Sequence, residues 1–134
     1  MTGKRISFTA EMARAIFDGR KTQTRRIIKP QPKNILSTNH REKWPKPKYN
    51  YGDEVQVVDQ SGCMLGNVRI TDSRLERVQD ITNEDAVAEG VGPEGGAFPT
   101  HAFHFIWDSI YGKGAWDRND WVWAYTFKVV EVKR

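Results

Sequence analysis

The sequence has one cysteine, Cys63, in 134 residues, so no disulfide can form within the chain. That excludes the small secreted scaffolds held by disulfides and fits a reducing compartment. It has no run of about 18 apolar residues, the length a membrane-spanning helix needs. Residues 1–8 lack the apolar core of a signal peptide. A cytoplasmic protein with no membrane partner is therefore expected. Mean hydropathy is low at −0.68, but five Trp, six Phe and four Tyr are more than a disordered chain carries. The length suits a single domain over 1–134 with one core.

Acidic residues are nearly missing from one stretch. Between Arg20 and Lys48 the only one is Glu42, against ten Lys and Arg. The stretch carries a net +9, whereas the whole chain carries +4. A basic third on a mildly acidic body suggests an anionic partner, nucleic acid being the commonest. A solvated basic loop without a ligand is the plainer alternative.

The pattern of residues predicts short strands with helices between them. A strand is expected over 5–8. Thr9 can cap a helix over 10–18, with Glu11 in its positive first turn and Gly19 as its stop. Threonine and isoleucine favour a strand over 22–28, ended by Pro30. Pro30, Pro32, Pro45 and Pro47 among lysines make 30–50 a basic Pro/Lys-rich loop. Strands are expected over 54–58, 64–71 and 74–78. Thr82 can cap a short helix over 84–89, closed by Gly90. A Gly/Pro loop follows over 91–100, then a helix over 102–111. A strand over 121–132 has apolar residues on both faces and is expected to be central. The sum is an α+β fold, a small mixed β-barrel with peripheral helices.

Residues 19–26 read Gly-Arg-Lys-Thr-Gln-Thr-Arg-Arg and join a helix end to a strand. Lys21 can serve as a base for a neighbouring hydroxyl if burial or nearby cations lower its pKa. Arg20, Arg25 and Arg26 can supply that field, or can hold a phosphate or carboxylate. A basic strand edge that only discourages edge pairing is the competing explanation.

That octet, with Phe8 and a helix before it, resembles the signature of the ASCH domain family, whose barrel is related to the PUA RNA-binding domain. The resemblance extends through Tyr51-Gly52-Asp53-Glu54-Val55, the helix ending at Gly90, and the aromatic last strand. With Trp107-Asp108-Ser109-Ile110 and Trp121-Val122-Trp123, it is similar to the phage and prophage branch. The resemblance implies a PUA-like barrel and recognition of RNA or a modified nucleoside. One subfamily hydrolyses N4-acetylcytidine. By that match Thr24 is the nucleophile, Lys21 its base, and Glu89 a proton carrier or orienting group. Arg20, Arg25, Arg26, Lys29 and Trp44 are then substrate- or RNA-binding residues. The basic 30–50 segment is an insert relative to the shorter amidohydrolases. Two alternatives stay open. One is a ribonuclease on single-stranded RNA, with Lys21, Arg25 and Arg26 on the phosphorane and a divalent metal; the other is a non-catalytic RNA-binding module. The amidohydrolase needs no cofactor. Lys21 and Thr24 are three apart, so a regular strand would aim them at opposite faces. The assignment requires Lys21 to sit in the turn, or a bulge between the two.

The remaining signals are smaller. His101, His104 and Asp108 could share a helix face and bind a metal, but an ordinary half-exposed face is the preferred reading. Cys63, beside Gly62, reads as a turn or core thiol. Trp107, Trp121 and Trp123 are expected in the core. Trp44, Tyr49 and Tyr51 flank the basic loop, where aromatics among cations suit single-stranded nucleic acid. A polar turn is expected at 117–120.

Overall fold

The computed structural model describes residues 4–33, 45–91 and 98–133. In chain order it contains β1 (Arg5–Ser7), α1 (Ala10–Phe17), β2 (Gln23–Ile27), β3 (Glu54–Val58) and β4 (Met64–Arg77). After a 3-10 turn (Val78–Asp80) come α2 (Asn83–Ala88), α3 (Pro99–Tyr111), α4 (Ala115–Arg118) and β5 (Trp121–Val132). The local rules explain most boundaries. The Thr9 and Thr82 hydroxyls accept the amides of Met12 and Asp85, capping α1 and α2. Pro99 opens α3 at the first position, where its missing N–H costs nothing.

The strands form one sheet in the order β1-β3-β4-β5-β2. β1 runs parallel to β3, and every other pair is antiparallel. The strands expected over 64–71 and 74–78 are one strand, β4. A register shift between Ile70 and Asp72 bends it without breaking its pairing to β5. The expected barrel is a half-barrel, because β1 and β2, its outer strands, form no ladder with each other. Where the polar turn was expected, residues 115–118 form the single turn α4. The 30–50 segment is described at 30–33 and 45–50, which lie outside helix and strand. Trp44 lies outside the described residues. No helix among the described residues is long and apolar enough to cross a membrane.

Two apolar clusters hold the fold. One packs α1 inside the curved sheet, with Ile6, Phe8, Ile16, Val55, Val57, Val68, Tyr125 and Phe127. The other joins α2, α3 and α4, with Val78, Ile81, Ala86, Phe103, Trp107 and Val122. β5 is the wall between them: Val122 faces the helical cluster and Tyr125 and Phe127 the sheet cluster. Alternation of side chains along an inner strand produces this division. Trp107 is core as expected, but Trp121 and Trp123 are half-buried. The Trp121 ring carries the Arg77 guanidinium 4.5 Å from its centroid.

Candidate active site

Where the half-barrel fails to close, a cavity of about 210 Å³ opens. Ser7 and Phe8 line it from the β1 side, Lys21, Thr24, Arg25 and Arg26 from the β2 side. Glu89 and Val91 close it from the end of α2, and Phe103, Ile106, Trp107, Ile110 and Tyr111 from α3. Because β2 is an edge strand, residues from both of its faces can reach the same opening.

The turn before β2 sets the position of Lys21. Gly19 takes φ +89°, a conformation that other residues adopt at a cost, and ends α1. The amides of Arg20 and Lys21 then donate to the Ala15 carbonyl, and the Thr22 amide to the Ala88 carbonyl at 2.7 Å. The ends of α1 and α2 therefore clamp the turn from either side. Lys21 lies in this turn and Thr24 in the strand, so the geometric requirement on the pair is met. Both side chains line the cavity and are almost fully buried.

Lys21 Nζ donates to the Glu89 carboxylate at 3.0 Å and to the Glu89 backbone carbonyl at 2.7 Å. It also stands 5.7 Å from the centroid of the Phe8 ring. Burial pushes the Lys21 amine below its ordinary value of 10.5. Glu89 opposes that shift by charge and hydrogen bond, whereas Arg26 and Arg25 add to it. The Thr24 hydroxyl makes no hydrogen bond to any described side chain.

Arg25 has a different role from the substrate contact expected of it. Its side chain has no solvent exposure. Nε and Nη2 both bond Glu76 at 3.0 Å, and Nη2 also bonds Asp85 at 3.2 Å. Nη1 bonds Gln23 at 2.9 Å and Glu89 at 3.1 Å. Four hydrogen bonds hold the guanidinium among Gln23, Glu76, Asp85 and Glu89, so it is committed to protein partners. Burial alone would raise the Asp85 carboxyl, but the Gln23 amide and the Arg25 and Arg74 charges hold it below its ordinary value. Arg25 thus fastens Glu89 from behind while Lys21 holds it from the front.

The other expected residues separate. Arg26 lines the cavity, donates to the Ser7 carbonyl at 2.9 Å across the seam, and stands 4.9 Å from the Phe8 centroid. Arg20 is exposed, pairs with Asp18 at 2.9 Å and does not line the cavity. Lys29 lines a second opening on the other side of Arg26. His104 bonds Asp108 at 3.2 Å and stacks on Trp116, while His101 packs against Phe98. Cys63 is exposed in a turn. Sequence reasoning missed Phe8 and the α3 residues as cavity walls, because their apolar spacing reads only as core.

These features describe an α+β half-barrel whose open seam holds a buried lysine–glutamate pair. The chain has the ASCH-domain fold. No family model matches the chain, and no curated protein matches it. Among solved structures it is similar to a DUF984 protein from Enterococcus faecalis, with a TM-score of 0.66 and 14% identity over 99% of this chain and 84% of that one. It is similar to an ASCH domain from Lactobacillus crispatus, with a TM-score of 0.59 and 16% identity over 97% of this chain and 80% of that one. A mutant ASCH protein from Zymomonas mobilis gives a TM-score of 0.54 and 11% identity over 92% and 66%.

Proposed function

We propose that the protein is a hydrolase that cleaves the amide of an N4-acylated cytosine, as in N4-acetylcytidine. The observation that carries this reading is the meeting of Lys21, Thr24 and Glu89 in one small cavity. At about 210 Å³ the cavity is smaller than the roughly 300–1,000 Å³ of common ligand sites. It suits one substituted ring better than a chain.

In this reading neutral Lys21 takes the proton of Thr24 Oγ1 as that oxygen attacks the acyl carbon. The carbonyl π electrons move to oxygen, and the resulting oxyanion lies beside Arg26. Amides near Gly19 cannot serve there, since those of Gly19, Arg20 and Lys21 donate to helix carbonyls. Collapse breaks the C–N bond, and protonated Lys21 returns its proton to the leaving amine. Water then loses a proton to Lys21 as it attacks the acyl carbon, the C–Oγ1 bond breaks, and Lys21 returns that proton to Thr24 Oγ1, releasing the acid. Trp107 closes the cavity wall, and its buried Nε1 has no hydrogen-bond partner among the described residues.

The test is release of cytidine and acetate from N4-acetylcytidine by the purified protein. Lys21→Ala and Thr24→Ala should each lower kcat/KM by about 10²–10⁴-fold. Absence of turnover, or full activity in both variants, overturns the reading. The ribonuclease is the weaker reading because the Arg25 guanidinium is buried against Glu76, Asp85 and Glu89, and Lys21 is engaged by Glu89.

A further inference from the structure

Tyr111 ends α3 and lines the cavity, and the proposed reaction gives it no part. Its ring packs on that of Trp107, with 4.4 Å between centroids. The phenol reaches β2. Along that strand Thr22 and Ile28 bond β5 through Phe127 and Trp121. Alternation then turns the amides of Gln23, Arg25 and Ile27 away from β5, toward the open seam. The Ile27 amide bonds the Tyr111 oxygen. That oxygen is thereby held as an acceptor, and no described residue accepts its own hydrogen. Burial raises the phenol above its ordinary value of 10.0, which keeps the hydrogen in place at neutral pH. The Arg26 charge opposes that rise and the Glu89 charge adds to it, so the hydroxyl senses both of these cavity residues. Lys21 and Arg25 are bound by Glu89, and Arg26 by the Ser7 carbonyl. Tyr111 adds a neutral, uncommitted hydroxyl from α3 to these charged groups.

Its place along β2 fits a particular task. Thr24, the attacking residue of the proposed reaction, lies three residues from Ile27, roughly 10 Å along the strand. In an N4-acylated cytosine the attacked carbon and the 2-carbonyl oxygen stand at opposite ends, about 6 Å apart by bond lengths. An approach of about 3 Å at the carbon and a hydrogen bond of about 3 Å at the oxygen bring the span to roughly 12 Å. With the acyl carbon at Thr24, the 2-carbonyl therefore falls near the Tyr111 phenol. The apolar α3 residues Phe103, Ile106 and Ile110 are left to pack against the flat ring. We propose that Tyr111 is a specificity residue, whose hydroxyl donates to the 2-carbonyl of the pyrimidine and so aligns the ring with its acyl group at Thr24. The identity of the ring rests on the hydrolase reading, and the test separates the two.

Calorimetry with cytosine and with 4-aminopyrimidine, the same ring without the 2-carbonyl, tests the contact in the absence of any turnover. Wild type should bind cytosine about 5–100-fold more tightly than 4-aminopyrimidine. Tyr111→Phe keeps the ring beside Trp107 and removes only the hydroxyl. It should weaken cytosine alone, bringing the two affinities within about twofold of each other. Equal binding of the two ligands by wild type, no binding of cytosine, a gap that survives in Tyr111→Phe, or the same loss for both ligands overturns the proposal. Turnover is measured separately, on N4-acetylcytosine and on N-(pyrimidin-4-yl)acetamide, its analogue without the 2-carbonyl. Absence of turnover on N4-acetylcytosine refutes the reaction and leaves the binding result standing. If turnover occurs, Tyr111→Phe should lower kcat/KM about 5–100-fold on N4-acetylcytosine and by less than about twofold on the analogue. An equal loss on both substrates refutes alignment through the 2-carbonyl.

Discussion

Lys21 is the residue whose surroundings matter most. Burial lowers its pKa from 10.5, and Glu89 resists while Arg26 and Arg25 assist. Between the folded pKa and 10.5 the unfolded chain binds the extra proton, so stability rises with pH in that window. Below the folded pKa the cost of burying the charge is fully present. If neutral Lys21 is the base, kcat/KM should climb with pH to a midpoint below 10.5. Glu89→Gln should move that midpoint lower still, and Arg26→Ala should move it up; pH–rate profiles of the three proteins check both signs. Gly90 belongs to the same problem. It sits at φ +104°, and a Cβ there would lie 3.3 Å from Lys21 Cβ. Gly90→Ala should cost about 1 kcal/mol of stability and also lower kcat. Gly62→Ala, at φ +90° with open space around it, should show only the stability loss. Urea melts and turnover of the two variants separate strain from displacement of Lys21.

At the scale of elements, β2 and α2 are joined by buried charge more than by apolar contact. Arg25 from β2 meets Asp85 from α2, Glu89 just after it, and Glu76 from β4. Removing one partner of a buried ionic set leaves the others uncompensated. Arg25→Met should therefore destabilise by about 3–5 kcal/mol, read as a fall in the urea midpoint. Thr82→Ala, which removes the α2 cap, should cost only about 1 kcal/mol. If Arg25→Met costs no more than the cap, the network is not what docks α2. The octet at 19–26 carries these roles in an order that chain position alone does not reveal. Adjacent residues Thr24 and Arg25 both line the cavity, but only the Arg25 side chain is bound by carboxylates.

For the whole molecule, the main fact is that two apolar clusters share β5. A shared strand should make them unfold together. Far-UV circular dichroism and tryptophan fluorescence should give coincident urea transitions, since Trp107 reports the helical cluster and Trp123 packs on the other. Two separated transitions would show that each cluster stands alone. The open seam has the same origin in scale. β1 is only three residues long, and the side chains of Phe8, Lys21 and Arg26 fill the place where a ladder to β2 would close the barrel. The fold leaves its pocket at the boundary between β1 and β2, which no backbone ladder seals among the described residues.

The sequence by itself determined the local elements: the caps at Thr9 and Thr82, the stops at Gly19 and Gly90, and the two-sided strand β5. These depend on residues within a few positions of one another, and their physics is short-range. It also marked Lys21, Thr24 and Glu89 through resemblance to a known signature. Only the tertiary structure decided that Lys21 and Glu89, 68 positions apart, share hydrogen bonds. It decided too that Arg25 is consumed by carboxylates, that Arg20 turns away to Asp18, and that β4 is one strand. Those outcomes depend on which faces meet across the seam, and a one-dimensional pattern records charge and spacing without recording the partner.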